Sequence, residues 1–184
     1  GLAIINYSTN KISNSIELLT KLIKIYPEKI ESYLNLSNIL ISQNKYKESI
    51  DLLLKAHEIE NKNLKIIENL CFVYLKLKKY NDVKIFAELG ISLDKNNYFI
   101  YNILGQLFFR ENIIEKSILN FTLSIECNNE FWPPYDNLLI LYEQINNLDD
   151  FNKLLIKAKA IFTKQSNLLR LKYFQSLLLF RNNN

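Results

Sequence analysis

A single histidine, His57, is all this chain offers for proton transfer near neutral pH, and no serine or cysteine nucleophile with an orienting acid can be assembled around it. The segment is therefore not expected to be an enzyme. Two cysteines, Cys71 and Cys127, without partner histidines cannot form a zinc site. The three glycines, Gly1, Gly90 and Gly105, stand alone, so no glycine-rich loop can cradle a phosphate. Carboxylates are scattered; the Asp149-Asp150 pair reads as the cap opening a helix, with too few neighbouring oxygen ligands for a metal. No metal and no cofactor are expected.

Glycine and proline, three of each, are scarce enough to imply a nearly all-helical chain with short loops, and no Gly/Ser/Pro-rich linker divides it. There is no run of about eighteen apolar residues free of charge, so neither a membrane helix nor a membrane partner is indicated. The start lacks the basic and apolar regions of a secretion signal. Because the chain opens on Gly1 and contains no methionine, it reads as a segment of a longer protein.

What is present is apolar residue content of 48%, enough for a sizeable core, and a mild net charge of +4 that favours solubility. Lysine outnumbers arginine by 20 to 3. With the abundance of Asn and Ile, this reads as the coding bias of an AT-rich genome.

The strongest signal is a repeat. Blocks beginning at Ile30, Leu64, Tyr98 and Trp132 align at a spacing of 34 residues without insertion or deletion. Large apolar residues fill the fourth place (Tyr33, Ile67, Tyr101, Tyr135), the seventh (Leu36, Leu70, Leu104, Leu138) and the eleventh (Leu40, Tyr74, Phe108, Tyr142). Small residues fill the eighth (Ser37, Cys71, Gly105) and the twenty-seventh (Ala56, Gly90, Ser124, Ala158), where helix backbones can approach closely. Solenoid contacts run between neighbouring elements, so Cys71 and Cys127 are too far apart along the array for a disulfide. Cys71 reads as packing, and reduced thiols set the cytoplasm as the expected compartment.

This pattern resembles the tetratricopeptide repeat (TPR) family. Block three carries the resemblance best, through Tyr101, Leu104-Gly105, Phe108, Ser117 and Phe121. Block four departs from it, with Leu139 and Phe151 at places the family keeps small, and the proline of the thirty-second place survives only as Pro27. The resemblance implies an all-α fold, an α-solenoid in which antiparallel helix pairs wind into a right-handed superhelix. It divides one continuous domain, 1–184, into a partial repeat (1–29), four full repeats (30–63, 64–97, 98–131 and 132–165) and a C-terminal helix (166–184).

The periodicity predicts first helices over 30–44, 64–78, 98–111 and 133–146, and second helices over 46–60, 80–93, 114–127 and 148–162. Residues 2–9 read as the end of an earlier helix and 11–26 as its partner. Asn-rich turns separate them, at Gln43-Asn44-Lys45, Lys78-Lys79, Glu111-Asn112 and Asn146-Asn147. Trp132, ahead of Pro133-Pro134, is expected to staple its helix start onto block three. The last helix is apolar around nearly its whole circumference. It is expected to be covered by continuing chain, a partner or a second copy, which makes it the candidate contact of a homo-oligomer.

In the TPR family the first helices line a concave groove. The resemblance therefore implies a peptide-binding wall that includes Leu34, Asn35, Asn38, Asn69, Phe72, Lys76, Asn102, Gln106, Phe109, Arg110, Asn137 and Ile140. Asn35, Asn69 and Asn137 share the sixth place, and Ile103, flanked by Asn102, interrupts the column. Carboxamides both donate and accept, so such a column can pair with the main chain of an extended peptide. It resembles the asparagine ladder of repeat domains in protein glycosyltransferases.

These features imply a non-catalytic scaffold that binds a peptide or partner subunit in the groove. The alternative is the substrate-selecting arm of a larger transferase, of sulfotransferase or glycosyltransferase type, whose catalytic domain lies outside this chain. A clamp for chaperone C-terminal carboxylates is excluded. Asn38 and Asn69 match that pattern, but Leu34, Phe99 and Ile103 stand where it needs cations. Nucleic acid is not an expected partner, because helical-repeat RNA binders use a different period and a basic groove. Here Glu31, Glu68, Asp136 and Glu143 oppose Lys65, Lys76 and Arg110 along the wall.

Overall fold

The computed structural model describes residues 12–162 and 165–182; the helix expected over 2–9 lies outside them. Among the described residues there are ten helices and no strand: α1 (Ile12–Ile25), α2 (Ile30–Ser42), α3 (Tyr46–Ile59), α4 (Leu64–Lys76), α5 (Tyr80–Leu93), α6 (Tyr98–Arg110), α7 (Ile114–Cys127), α8 (Pro133–Gln144), α9 (Leu148–Ile161) and α10 (Gln165–Asn182). The fold is an α-solenoid of helix pairs.

First helices end one or two residues earlier than the periodicity predicts, and the turn chemistry explains why. Asn44, Lys78, Asn112 and Asn146 have φ of 60°, 58°, 59° and 57°, and a left-handed residue cannot continue a right-handed helix. Each turn closes in the same way. The Asn44 amide donates to the Ile41 carbonyl at 2.9 Å and the Lys45 amide to the Leu40 carbonyl at 2.9 Å, so two otherwise orphaned helix carbonyls are satisfied. The longer bond recurs from Lys79 to Tyr74, Ile113 to Phe108 and Asn147 to Tyr142.

Three helix starts use asparagine, whereas α2, α3, α5, α7 and α8 have no side-chain cap. The Asn63 side chain accepts from the Lys65 and Ile66 amides, Asn97 from Ile100 and Asn147 from Asp150. The expectation that Asp149-Asp150 caps a helix is thereby corrected. Asn147 sits one residue before α9, where a side-chain oxygen reaches the free amides, while both aspartates already lie in the first turn. Asp150 instead accepts from Asn147 Nδ2 at 2.9 Å, and that bond, with Lys153 at 3.2 Å, holds its carboxyl below the usual carboxylate range.

The chain falls into two compact units, Gly1–Lys95 and Asn96–Asn184. In the first, α1 to α5 pack in chain order, each helix against the next. Leu19 of α1 joins Leu36, Ile39 and Leu40 of α2, and Leu53, Ile66, Ile67, Leu70 and Cys71 are fully buried. In the second, α6 to α10 pack in chain order and α6 also meets α8. One cluster there runs from Phe121 through Tyr135, Leu138, Leu155 and Phe162 to Leu171 and Phe174 of α10.

The small places work by close approach and by hydrogen bonding. Ser117 Oγ donates to the Gly105 carbonyl at 2.8 Å and Ser124 Oγ to the Tyr98 carbonyl at 2.7 Å, tying α7 to α6. In the fourth repeat the large Leu139 and Phe151 are nonetheless fully buried, and Phe151 meets Phe174 of α10 edge-on at 5.9 Å. Trp132 lies edge-on to Phe162 at 5.0 Å, so the end of α9 holds the indole beside the start of α8.

Candidate functional site: the first-helix wall

In the Gly1–Lys95 unit, α2 presents half-buried Leu34, Asn35 and Asn38, and α4 presents buried Asn69, half-buried Phe72 and exposed Lys76. Asn69 Nδ2 donates to Asn38 Oδ1 at 3.0 Å, joining the first helices of consecutive repeats. Phe72 meets Tyr46 of α3 at 6.4 Å, and Lys76 Nζ stands 5.0 Å above its ring. Such a cation over a partly exposed ring contributes on the order of 1 kcal/mol.

The Asn96–Asn184 unit repeats the arrangement with a change of register. Asn137 Nδ2 of α8 donates to Asn102 Oδ1 of α6 at 3.1 Å. The acceptor stands at the fifth place of its repeat, whereas Asn38 stands at the ninth, and Ile103, at the sixth, is 1% exposed and belongs to the core. Gln106, Phe109 and Ile140 are half-buried, and Arg110 is exposed. Phe109 and Ile140 also border the core cluster, so each is shared between packing and surface.

The Asn69-to-Asn38 bond leaves Asn38 Nδ2 and Asn69 Oδ1 outside it, and the Asn137-to-Asn102 bond leaves Asn102 Nδ2 and Asn137 Oδ1 outside it. Asn69 is 9% exposed and Asn102 only 3%, so Asn38 and Asn137 are the members of the two pairs that reach the surface.

Three of the wall's acids are paired. Glu68 meets Lys65 at 3.2 Å, Asp136 meets Arg170 of α10 at 2.6 Å, and Glu143 meets Arg181, which also donates to Asn146 at 3.1 Å. Sequence reasoning missed both arginines. Arg170 stands 34 residues after Asp136, so extending the column of the fifth place into the last helix would have found it. Cys71 lies behind the wall. Burial first, and then the Glu68 charge, push its thiol up to about 12, which keeps it protonated and unreactive.

No family model matches the sequence, and no curated protein does so either. Solved structures match it at the level of fold. TTC0263, a thermophilic TPR protein in Thermus thermophilus, superposes with a TM-score of 0.77 at 13% identity, covering 97% of this chain and 96% of that one. YrrB, described as a TPR protein with an unusual peptide-binding site, gives 0.64 at 19% identity, with 93% and 88% covered. MamA from Desulfovibrio magneticus RS-1 gives 0.67 at 14% identity, with 82% and 84% covered.

Proposed function

We propose that this chain, which has the tetratricopeptide-repeat fold, is a non-catalytic scaffold whose first-helix walls bind an extended peptide or a partner subunit. The observation that carries the proposal is the pairing of Asn38 with Asn69 and of Asn102 with Asn137. The member of each pair that reaches the surface, Asn38 in one unit and Asn137 in the other, presents a carboxamide to a peptide main chain, and each wall also carries a half-buried apolar residue, Phe72 or Ile140. Burying a Phe-sized ligand side chain contributes about 2 kcal/mol, more than the roughly 1 kcal/mol of one net hydrogen bond, so spaced apolar anchors would decide which segments bind. The peptide-binding site named for YrrB, a protein of the same fold, supports this reading.

The test is an array of extended peptides with Leu or Phe anchors at varied spacing, assayed against the chain by fluorescence anisotropy. The tightest binder should lose about tenfold in affinity, or ~1.4 kcal/mol, when Asn35→Ala, Asn69→Ala and Phe72→Ala are combined. Unchanged affinity in a triple variant that still melts cooperatively would reject the wall as the binding site. The transferase-arm alternative is decided by the reading frame beyond Asn184, where it requires a catalytic domain.

A further inference from the structure

The last helix, which holds none of the twelve wall residues but supplies Arg170 and Arg181 to the wall's acids, carries a second feature on its exposed side. Leu171 and Phe174 of α10 are buried in the core cluster. On its other side Leu169, Tyr173 and Phe180 follow one another at helical spacing, with Leu179 beside them, and they are 71%, 52%, 71% and 56% exposed. Exposed apolar side chains concentrated on one helix face mark an interaction surface.

Charge identifies what would cover it. From Phe151 to Asn184 the chain contains seven lysines and arginines and no aspartate or glutamate, whereas the preceding 150 residues contain sixteen cations against nineteen acids. Acids of α8 and of the first turn of α9 neutralise Arg170, Arg181 and Lys153. Lys159 Nζ bonds only the neutral Gln175 oxygen, at 2.8 Å, and Lys172 is exposed. A ligand on this side of α10 therefore meets apolar residues flanked by lysines.

We infer that the solvent-facing side of α10 is a docking surface for an acidic amphipathic helix of another protein. An apolar stripe on that helix would cover Leu169, Tyr173 and Leu179, and its flanking carboxylates would pair with Lys159 and Lys172. A cleft of about 560 Å³ beside the stripe, lined by Leu148, Leu177, Phe180, Asn146 and the Glu143–Arg181 pair, gives an anchoring side chain a place to insert. The surface of a bilayer has no such protrusion, so the cleft favours a protein ligand over an anionic membrane.

The probe is a fluorescein-labelled helical peptide with Leu along one stripe and Glu on its flanks, compared with a twin carrying Lys in place of every Glu. Anisotropy titration of the 184-residue chain should show the acidic peptide binding about tenfold or more tightly than its twin. Leu169→Ser with Leu179→Ser should abolish that binding while leaving the melting curve unchanged, since both residues are exposed. Lys159→Glu with Lys172→Glu should reverse the preference between the twins. Equal binding of the two peptides, or acidic-peptide binding that the serine variant leaves intact, overturns the inference. So does sedimentation showing self-association that the serine variant removes, which would make a second copy the occupant. Binding to phosphatidylserine vesicles, lost in the same variant while the acidic peptide fails to bind, would make it a membrane surface.

Discussion

The Phe121 ring occupies the space that a side chain on Gly105 would need, since a Cβ built there would stand 2.5 Å from Phe121 Cδ1 and 2.6 Å from Cε1. Phe121 is 1% exposed and has no room to retreat. Gly105→Ala gains up to ~1 kcal/mol of helix propensity but overpacks the α6–α7 contact, at a cost of roughly 1–3 kcal/mol. Net destabilisation of up to about 2 kcal/mol is expected in urea unfolding once the propensity gain is subtracted. Phe121→Leu in the same background should recover part of it, and a double-mutant cycle measures the coupling.

The same place in two repeats should respond oppositely to one substitution. Ser117 donates to the Gly105 carbonyl at 2.8 Å, whereas Ser49, its counterpart in the first full repeat, buries a hydroxyl with no hydrogen-bond partner. Ser117→Ala should cost about 1 kcal/mol, and Ser49→Ala should be neutral or stabilising. Equal losses in the two melts would contradict this account.

Three of the four left-handed turn residues are asparagine and the fourth is Lys78, with φ of 58°. Asparagine and glycine tolerate that conformation better than lysine does. Lys78→Gly should raise stability by about 0.5–1 kcal/mol and Asn112→Ala should lower it by a similar amount, read from the midpoint of chemical denaturation.

Burial raises the Cys71 thiol to about 12 and also raises the phenols of Tyr74, Tyr135 and Tyr142 above their ordinary value. In each case the unfolded chain releases its proton first. The stabilisation is therefore complete below the unfolded values, near pH 9 for the thiol, and is lost as pH rises through the folded ones. Stability should fall from about pH 9 towards about pH 12, and Cys71→Ala should make that fall shallower. At about pH 8 a thiol reagent should modify half-buried Cys127 well before buried Cys71.

The 34-residue spacing specified helix type, pairing and turn positions, because large apolar residues at places four, seven and eleven can be buried together only on one side of a helix. Turn ends were less legible. The two-residue shortening of α2, α4 and α8 comes from left-handed residues that period-3.6 patterning does not register. The cap at Asn147 was misassigned because neighbouring aspartates make equally good caps in sequence and differ only by two or three residues of placement.

For the wall, sequence alone determined which residues stand on first helices and that asparagines recur among them. Only the tertiary structure decided that Asn69 and Asn137 turn back to bond Asn38 and Asn102, that Ile103 sinks into the core, and that α10 supplies arginines to Asp136 and Glu143. The reason is physical. A repeat period records which side of a helix is buried, whereas the partner of a polar side chain depends on distances between helices some thirty residues apart in the chain, which no local pattern encodes.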